Sequence, residues 1–247
     1  MDVTRRRFVA LSGSAAGSLL LGGACRQVSF LGSDGRLSAR PRESAKPASP
    51  GQITLGLDRD RDAILYIPKA SGQLLPLFVM LHGATQSAED MFWYLDSAPE
   101  EAGVAVLAPN SRDTTWDGIH GGFGPDVHFL NLALQRVFET TPIDPARISI
   151  GGFSDGASYA LSLGLVNGDL FHSIVAFSPG FVSRVEPHGK PRIFISHGTR
   201  DRILRGTGRP VAETLKSHGF DVTFREFDGD HEIPAEVVRE GLKWVVE

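Results

Sequence analysis

Hydrophobic residues make up 41% and charged residues 22% of the 247-residue chain, the proportions of a globular protein with a sizeable core. Its apolar runs all fall short of the roughly 18 residues of a membrane span, which excludes a multispan protein, and the single cysteine, Cys25, excludes an internal disulfide framework or a thiolate metal cluster. Of the net charge of −4, residues 1–50 hold eight Lys/Arg against three Asp/Glu and the rest hold 17 against 26; an acidic body of that kind excludes a nucleic-acid partner and a polybasic face for anionic lipid.

The basic excess belongs to an address. Thr4-Arg5-Arg6-Arg7-Phe8 leads into a mild apolar stretch from Val9 to Leu21, then Gly22-Gly23-Ala24-Cys25. A charged start, a short apolar middle and a small-residue site read as a secretory signal peptide over 1–25. The paired arginines resemble the twin-arginine export signal of bacteria, with Val9-Ala10 in place of the usual Leu-Lys. The expected partner is the twin-arginine machinery, and the expected location is outside the cytoplasm, periplasmic or extracellular. Cys25 is read as a lipoprotein-type lipidation site, with Leu21 one place early; ordinary cleavage near Ala24 is the alternative. A lipid there would be the only membrane attachment. Residues 26–50, polar and carrying Pro41, Pro47 and Pro50, show no hydrophobic period and read as a flexible tether.

The body, 51–247, alternates strand and helix. Ile53–Leu57 and Ala63–Ile67 are expected as antiparallel strands around the charged turn 58–61. Leu77–Leu81 is a continuous apolar run, as a strand buried on both faces requires. A helix over Ala88–Ala102 and a strand over Val104–Ala108 follow, then a helix over Val127–Phe138, a turn at Asp144-Pro145 and a strand at Ile148–Ile150. The helix Gly156–Val166 comes next, then strands Ser173–Phe177 and Ile193–Ser196, helix Val211–His218, strand Val222–Phe227 and helix Pro234–Val246. The alternation predicts one α/β domain with a mostly parallel central sheet flanked by helices.

Gly151-Gly152-Phe153-Ser154-Asp155-Gly156 stands where a strand passes into a helix, the context of a G-x-S-x-G nucleophile elbow. Serine needs a base to remove its proton. His231, in a loop before the last helix, and Asp201, just past the strand Ile193–Ser196, follow Ser154 in the order Ser, acid, His. Asp228 and Asp230 are rivals for the acid by proximity, better suited to shaping the turn that presents His231. The oxyanion hole needs two backbone N–H groups; Asp155, after the nucleophile, and Ala84, in the loop after Leu77–Leu81, are the expected donors. His82 and His197 read as braces. No H-E-x-x-H spacing supports a zinc hydrolase, Cys25 lies outside the body, and the chemistry calls for no metal or organic cofactor.

The segments LFVMLHGATQ, GGFSDGASYALSLG, AFSPGF, ISHGTRD and REFDGDHEIP, in this order across 51–247, resemble the phospholipase/carboxylesterase branch of the α/β-hydrolase fold. Polyhydroxybutyrate-depolymerase-like and feruloyl-esterase-like members are similar as well. The resemblance implies an α/β-hydrolase fold, here with no room for a large lid domain. It also implies carboxylesterase activity through an acyl-enzyme, with Ser154 as nucleophile, Asp201 as acid and His231 as general base. The sequence departs from the family pattern at Arg205-Gly206-Thr207-Gly208, where a Pro-containing loop is expected. The implied partner is a small or polymeric ester, with a polyester, a feruloyl ester or a peptide bond as alternatives, and a non-catalytic binding protein as the contrasting class. Trp116 and Phe123, in a Gly-rich aromatic loop, and Phe181 are candidate walls of the substrate pocket; for the first two a packed loop is the equal alternative.

Overall fold

A computed structural model describes residues 34–42, 49–69 and 74–247. The expected export signal and Cys25 lie outside the described residues. The apolar runs form strands covered on both faces. In β3, Leu75–Leu81, all seven residues are buried. Leu77, Val79 and Leu81 enter one core layer, Phe78 and Met80 the other, as a period of two requires.

The other strands are β1 Gly51–Thr54, β2 Ala63–Ile67, β4 Ala105–Pro109, β5 Ile143–Phe153, β6 Ser173–Phe177, β7 Arg192–Gly198 and β8 Val222–Phe227. They form a sheet of order β1-β2-β4-β3-β5-β6-β7-β8. β2 runs antiparallel to both β1 and β4, and all other pairs are parallel. Helices α3 Pro125–Thr140, α4 Asp155–Val166 and α5 Gly208–Ser217 cover one face; α1 Ala88–Leu95, α2 Ala98–Ala102 and α6 Ala235–Val246 cover the other. This is the α/β-hydrolase fold, and parallel strands direct the ends of β3, β5 and β7 to one edge of the sheet.

Helix α4 is buried from Gly156 to Val166. The segment after β6 lies over it, with Ser158 Oγ accepting the Gly180 N–H at 2.9 Å and Ser162 Oγ the Ser183 N–H at 3.0 Å. Three local expectations are revised. The helix over 88–102 is two helices, because Asp96 takes φ +46° and Pro99 sits in the first turn of the second. β5 begins at Ile143, so Asp144-Pro145 lies inside the strand, and its pairing with β3 shifts register between Leu75 and Leu77. The first strand ends at Thr54 rather than Leu57.

The larger revision concerns the expected tether. Residues 34–42 are fastened to the body. Leu37 and Ala39 are buried in the core, at 3% and 2% exposure. The backbone of this strap has no strand partner among the described residues; side chains serve instead. Asn167 Oδ1 accepts from Leu37 N, Asn131 Oδ1 from Ser38 N and Ala39 N, each at 2.8 Å, and Asn167 Nδ2 donates to Gly35 O at 2.8 Å. Arg36 grips Asp169 bidentately at 2.9 Å, and Arg40 reaches the same carboxylate at 2.6 Å. Burial pushes Asp169 up, but the two guanidinium groups outweigh it and bring its pKa down to about 2.

Candidate active site

The sharp turn between β5 and α4 places Ser154 at φ +56°, ψ −117°, a backbone region that side-chain-bearing residues rarely occupy. Its N–H donates to Phe177 O at 2.9 Å, tying the turn to β6. Two glycines make the turn possible. A Cβ on Gly152 would overlap the Gly156 backbone, and one on Gly156 would strike the carbonyls of Leu81 and His82. Asp155 is the first residue of α4, so its N–H has no acceptor within the helix.

Asp201 sits in the turn after β7 and is 1% exposed. Its Oδ1 accepts the N–H groups of Ile203 and Leu204, both at 2.8 Å. Its Oδ2 lies 2.7 Å from His231 Nδ1 and 3.2 Å from His197 Nε2. Burial pushes the carboxyl up, yet the bonds from His231 and the two backbone N–H groups hold it below the usual carboxylate range. With Asp201 as acceptor, His231 carries its proton on Nδ1 and keeps Nε2 as the basic nitrogen. The His231 ring packs 4.8 Å from Phe153, the residue before Ser154. Ser154 Oγ and His231 Nε2 share no hydrogen bond in this structure, and Phe153 is the contact that seats the ring beside the elbow. Asp230 Oδ1 accepts the N–H groups of His231 and Arg202, at 3.0 and 3.1 Å, and Asp228 pairs with Arg200. Both rivals for the acid therefore shape and join the two loops.

The loop after β3 adjoins Ser154: a Cβ on Gly83 would lie 3.3 Å from Ser154 Cβ. Gly83 N donates to Gln86 Oε1 at 3.0 Å, and Thr85 N to Thr114 O at 2.7 Å. Between them, the Ala84 N–H is joined to no acceptor among the described residues. His82 is buried, with Nδ1 on Gly83 O at 2.7 Å and Nε2 accepting Ser111 N–H at 3.0 Å. Burial lowers its pKa, so it braces the loop as a neutral ring. His197 is 4% exposed, and its Nε2 lies 2.9 Å from Leu204 O; burial lowers its pKa too.

The pocket candidates divide. Trp116 is not a wall: it is fully buried, between His82 at 4.9 Å and Tyr159 at 5.3 Å, and its Nε1 donates to His82 O at 2.8 Å. Phe123 packs on Tyr159 at 5.9 Å and lies under Gly35 of the strap, which is the packed-loop alternative. Phe181 alone keeps its ring at the surface, at 38% exposure. Residue reading missed Thr115, whose Oγ1 donates to Asp155 Oδ2 at 2.7 Å. It also missed Tyr94, which packs on Phe153 at 5.2 Å and accepts from Gln86 Nε2 at 3.1 Å. A threonine in a Gly-rich loop and a helical tyrosine carry no spacing signature. Among the described residues no cluster of His, Cys, Asp and Glu could hold a metal ion.

A strand–serine–helix elbow at the edge of a mostly parallel sheet is the arrangement of the α/β-hydrolase fold. Residues 131–245 match the model of the Phospholipase/Carboxylesterase family. The chain is 33% identical over 112 residues to acyl-protein thioesterase 1 of Gibberella zeae, covering 41% of this chain and 47% of that one. It is 26% identical over 113 residues to an Aspergillus oryzae protein named "Probable feruloyl esterase C", covering 45% and 41%. The chain thus spans less than half the length of these curated relatives. Among solved structures, the fluorophosphonate-binding serine hydrolase FphF of Staphylococcus aureus, with substrate bound, superimposes with a TM-score of 0.65 at 14% identity. The superposition covers 82% of this chain and all of that one. Over these stretches the chain is similar to esterases, and its fold is that of the α/β-hydrolases.

Proposed function

We propose that the protein is a serine carboxylesterase. The observation that carries this reading is the strained Ser154 at the elbow, with the Asp201–His231 pair packed against the neighbouring Phe153. Ser154 Oγ attacks the ester carbonyl carbon as His231 Nε2 takes its proton, and the tetrahedral oxyanion lies against the N–H groups of Ala84 and Asp155. Collapse breaks the bond to the alcohol, which leaves with the proton from His231, and an acyl-Ser154 intermediate remains. Water, deprotonated by His231, attacks that acyl carbon; the bond to Ser154 Oγ then breaks, His231 returns the proton to Oγ, and the acid is released. Asp201 holds the imidazole tautomer and stabilises the imidazolium through its 2.7 Å bond. The relatives' names support a carboxylic or thioester carbonyl as the reacting group.

The test is hydrolysis of short-chain p-nitrophenyl esters by the full chain and its Ser154→Ala variant. The variant is expected to keep the circular dichroism of the parent and lose activity by about 10⁴-fold or more. Turnover retained within tenfold would contradict the assignment.

A further inference from the structure

Three consecutive residues each hold a different piece of the expected oxyanion cradle. Thr114 O accepts the Thr85 N–H at 2.7 Å, just past Ala84. Thr115 Oγ1 donates to Asp155 Oδ2 at 2.7 Å. Trp116 Nε1 donates to His82 O at 2.8 Å. The segment is itself held from behind. Asp117 N donates to Asp126 Oδ2 at 2.7 Å, Asp117 Oδ1 accepts the Tyr159 hydroxyl at 2.9 Å, and Tyr159 stacks on Trp116 at 15° between ring planes. Thr115 is 8% exposed and Trp116 fully buried, so neither is available as a pocket wall.

The physical need for such a tie is plain. The two donors come from separate loops, one after β3 and one after β5, whose strand pairing ends at Leu81 and Gly152. Beyond that pair the sheet no longer fixes their separation, while an oxyanion site loses its value when its donors stray by a fraction of an ångström. The 114–116 segment bonds to both loops at once. Asp155 adds a second need, since it carries a carboxylate on the residue whose N–H must receive negative charge. The Thr115 hydroxyl fixes that side chain and satisfies one of its oxygens.

We propose that Thr115 is a positioning residue for ester hydrolysis, its hydroxyl clamping Asp155 while the Thr114 carbonyl and the Trp116 indole hold the Ala84 loop. This rests on the serine-esterase reading above. The full chain is compared with Thr115→Val, which keeps the shape and removes the donor, and with Thr115→Ser, which keeps the donor. Thr115→Val is expected to lower kcat about tenfold, with KM within about twofold. Inhibition by phenylboronic acid, which forms a tetrahedral anion on the serine, weakens by the same factor, and Thr115→Ser restores both to within about threefold. In an Asp155→Ala background Thr115→Val has no further effect, because its acceptor is gone. If Thr115→Val does not fold, Thr115→Ala, which also removes the donor, shows the same loss of kcat and of boronate affinity against Thr115→Ser. An active, boronate-sensitive parent that Thr115→Val matches in kcat and inhibition overturns the clamp alone. So does an equal loss in Thr115→Ser, or a Thr115→Ala variant that matches the parent. A folded parent that neither hydrolyses esters nor binds the boronate overturns the clamp and the reading beneath it.

Discussion

Ser154 occupies a backbone conformation suited to glycine, at φ +56° and ψ −117°, and such a residue stores about 1–3 kcal/mol of strain. The fold tolerates it because Gly152 and Gly156 let the turn close against β3 and because Phe177 O receives the Ser154 N–H. Replacing Ser154 with glycine should therefore stabilise the protein, by about 1 kcal/mol, while abolishing the proposed esterase activity. Urea denaturation of the two proteins checks this, and a less stable Ser154→Gly chain would show that the strain is absent. At this scale much was visible in the sequence. The strand–Gly-Phe-Ser-Asp-Gly–helix context located the elbow, and the order Ser, Asp, His pointed to the loops that the structure brings together. Trp116 was the misleading residue. An aromatic in a Gly-rich loop reads equally as a wall or a brace, and only the buried stack on His82 and Tyr159 decides between them.

Among the elements, the strap over 34–42 is the one whose composition misled. Its three arginines, one serine and one proline carry no hydrophobic period, and Asn131 and Asn167 side chains hold the backbone of Leu37, Ser38 and Ala39. Two small apolar anchors, Leu37 and Ala39, are too few to form a pattern. The strap lies over Phe123, which leans on Tyr159 and so on the stack behind the Ala84 loop. Truncating Leu37 to alanine should cost about 2–4 kcal/mol, as other buried leucines do, measured as a lower urea midpoint at unchanged slope. A change below about 0.5 kcal/mol would mean that the strap is dispensable, as a surface tether would be. The regular elements were easier to read, since continuous apolar runs such as Leu77–Leu81 demand cover on both faces. The early start of β5 at Ile143 escaped because it depends on pairing with β3 that overrides local pattern, and the break at Asp96 because it turns on one residue at positive φ and Pro99 within an otherwise continuous helical period.

At the scale of the whole molecule, parallel pairing sends β3, β5 and β7 to the same edge. The Ala84 loop, the Ser154 elbow and the Asp201 turn meet there, and the loop after β8 brings His231. Each piece lies on a separate stretch of chain, yet Asp201–His231, Phe153–His231 and Thr115–Asp155 tie them to one another. On the proposed reading, this meeting point activates Ser154. The most direct test is to expose the folded full chain to an ethyl fluorophosphonate probe and locate the adduct by peptide mass spectrometry. One phosphonylated residue is expected, Ser154, with labelling lost in His231→Ala. A folded chain that stays unlabelled, or that labels elsewhere with Ser154 untouched, would contradict it.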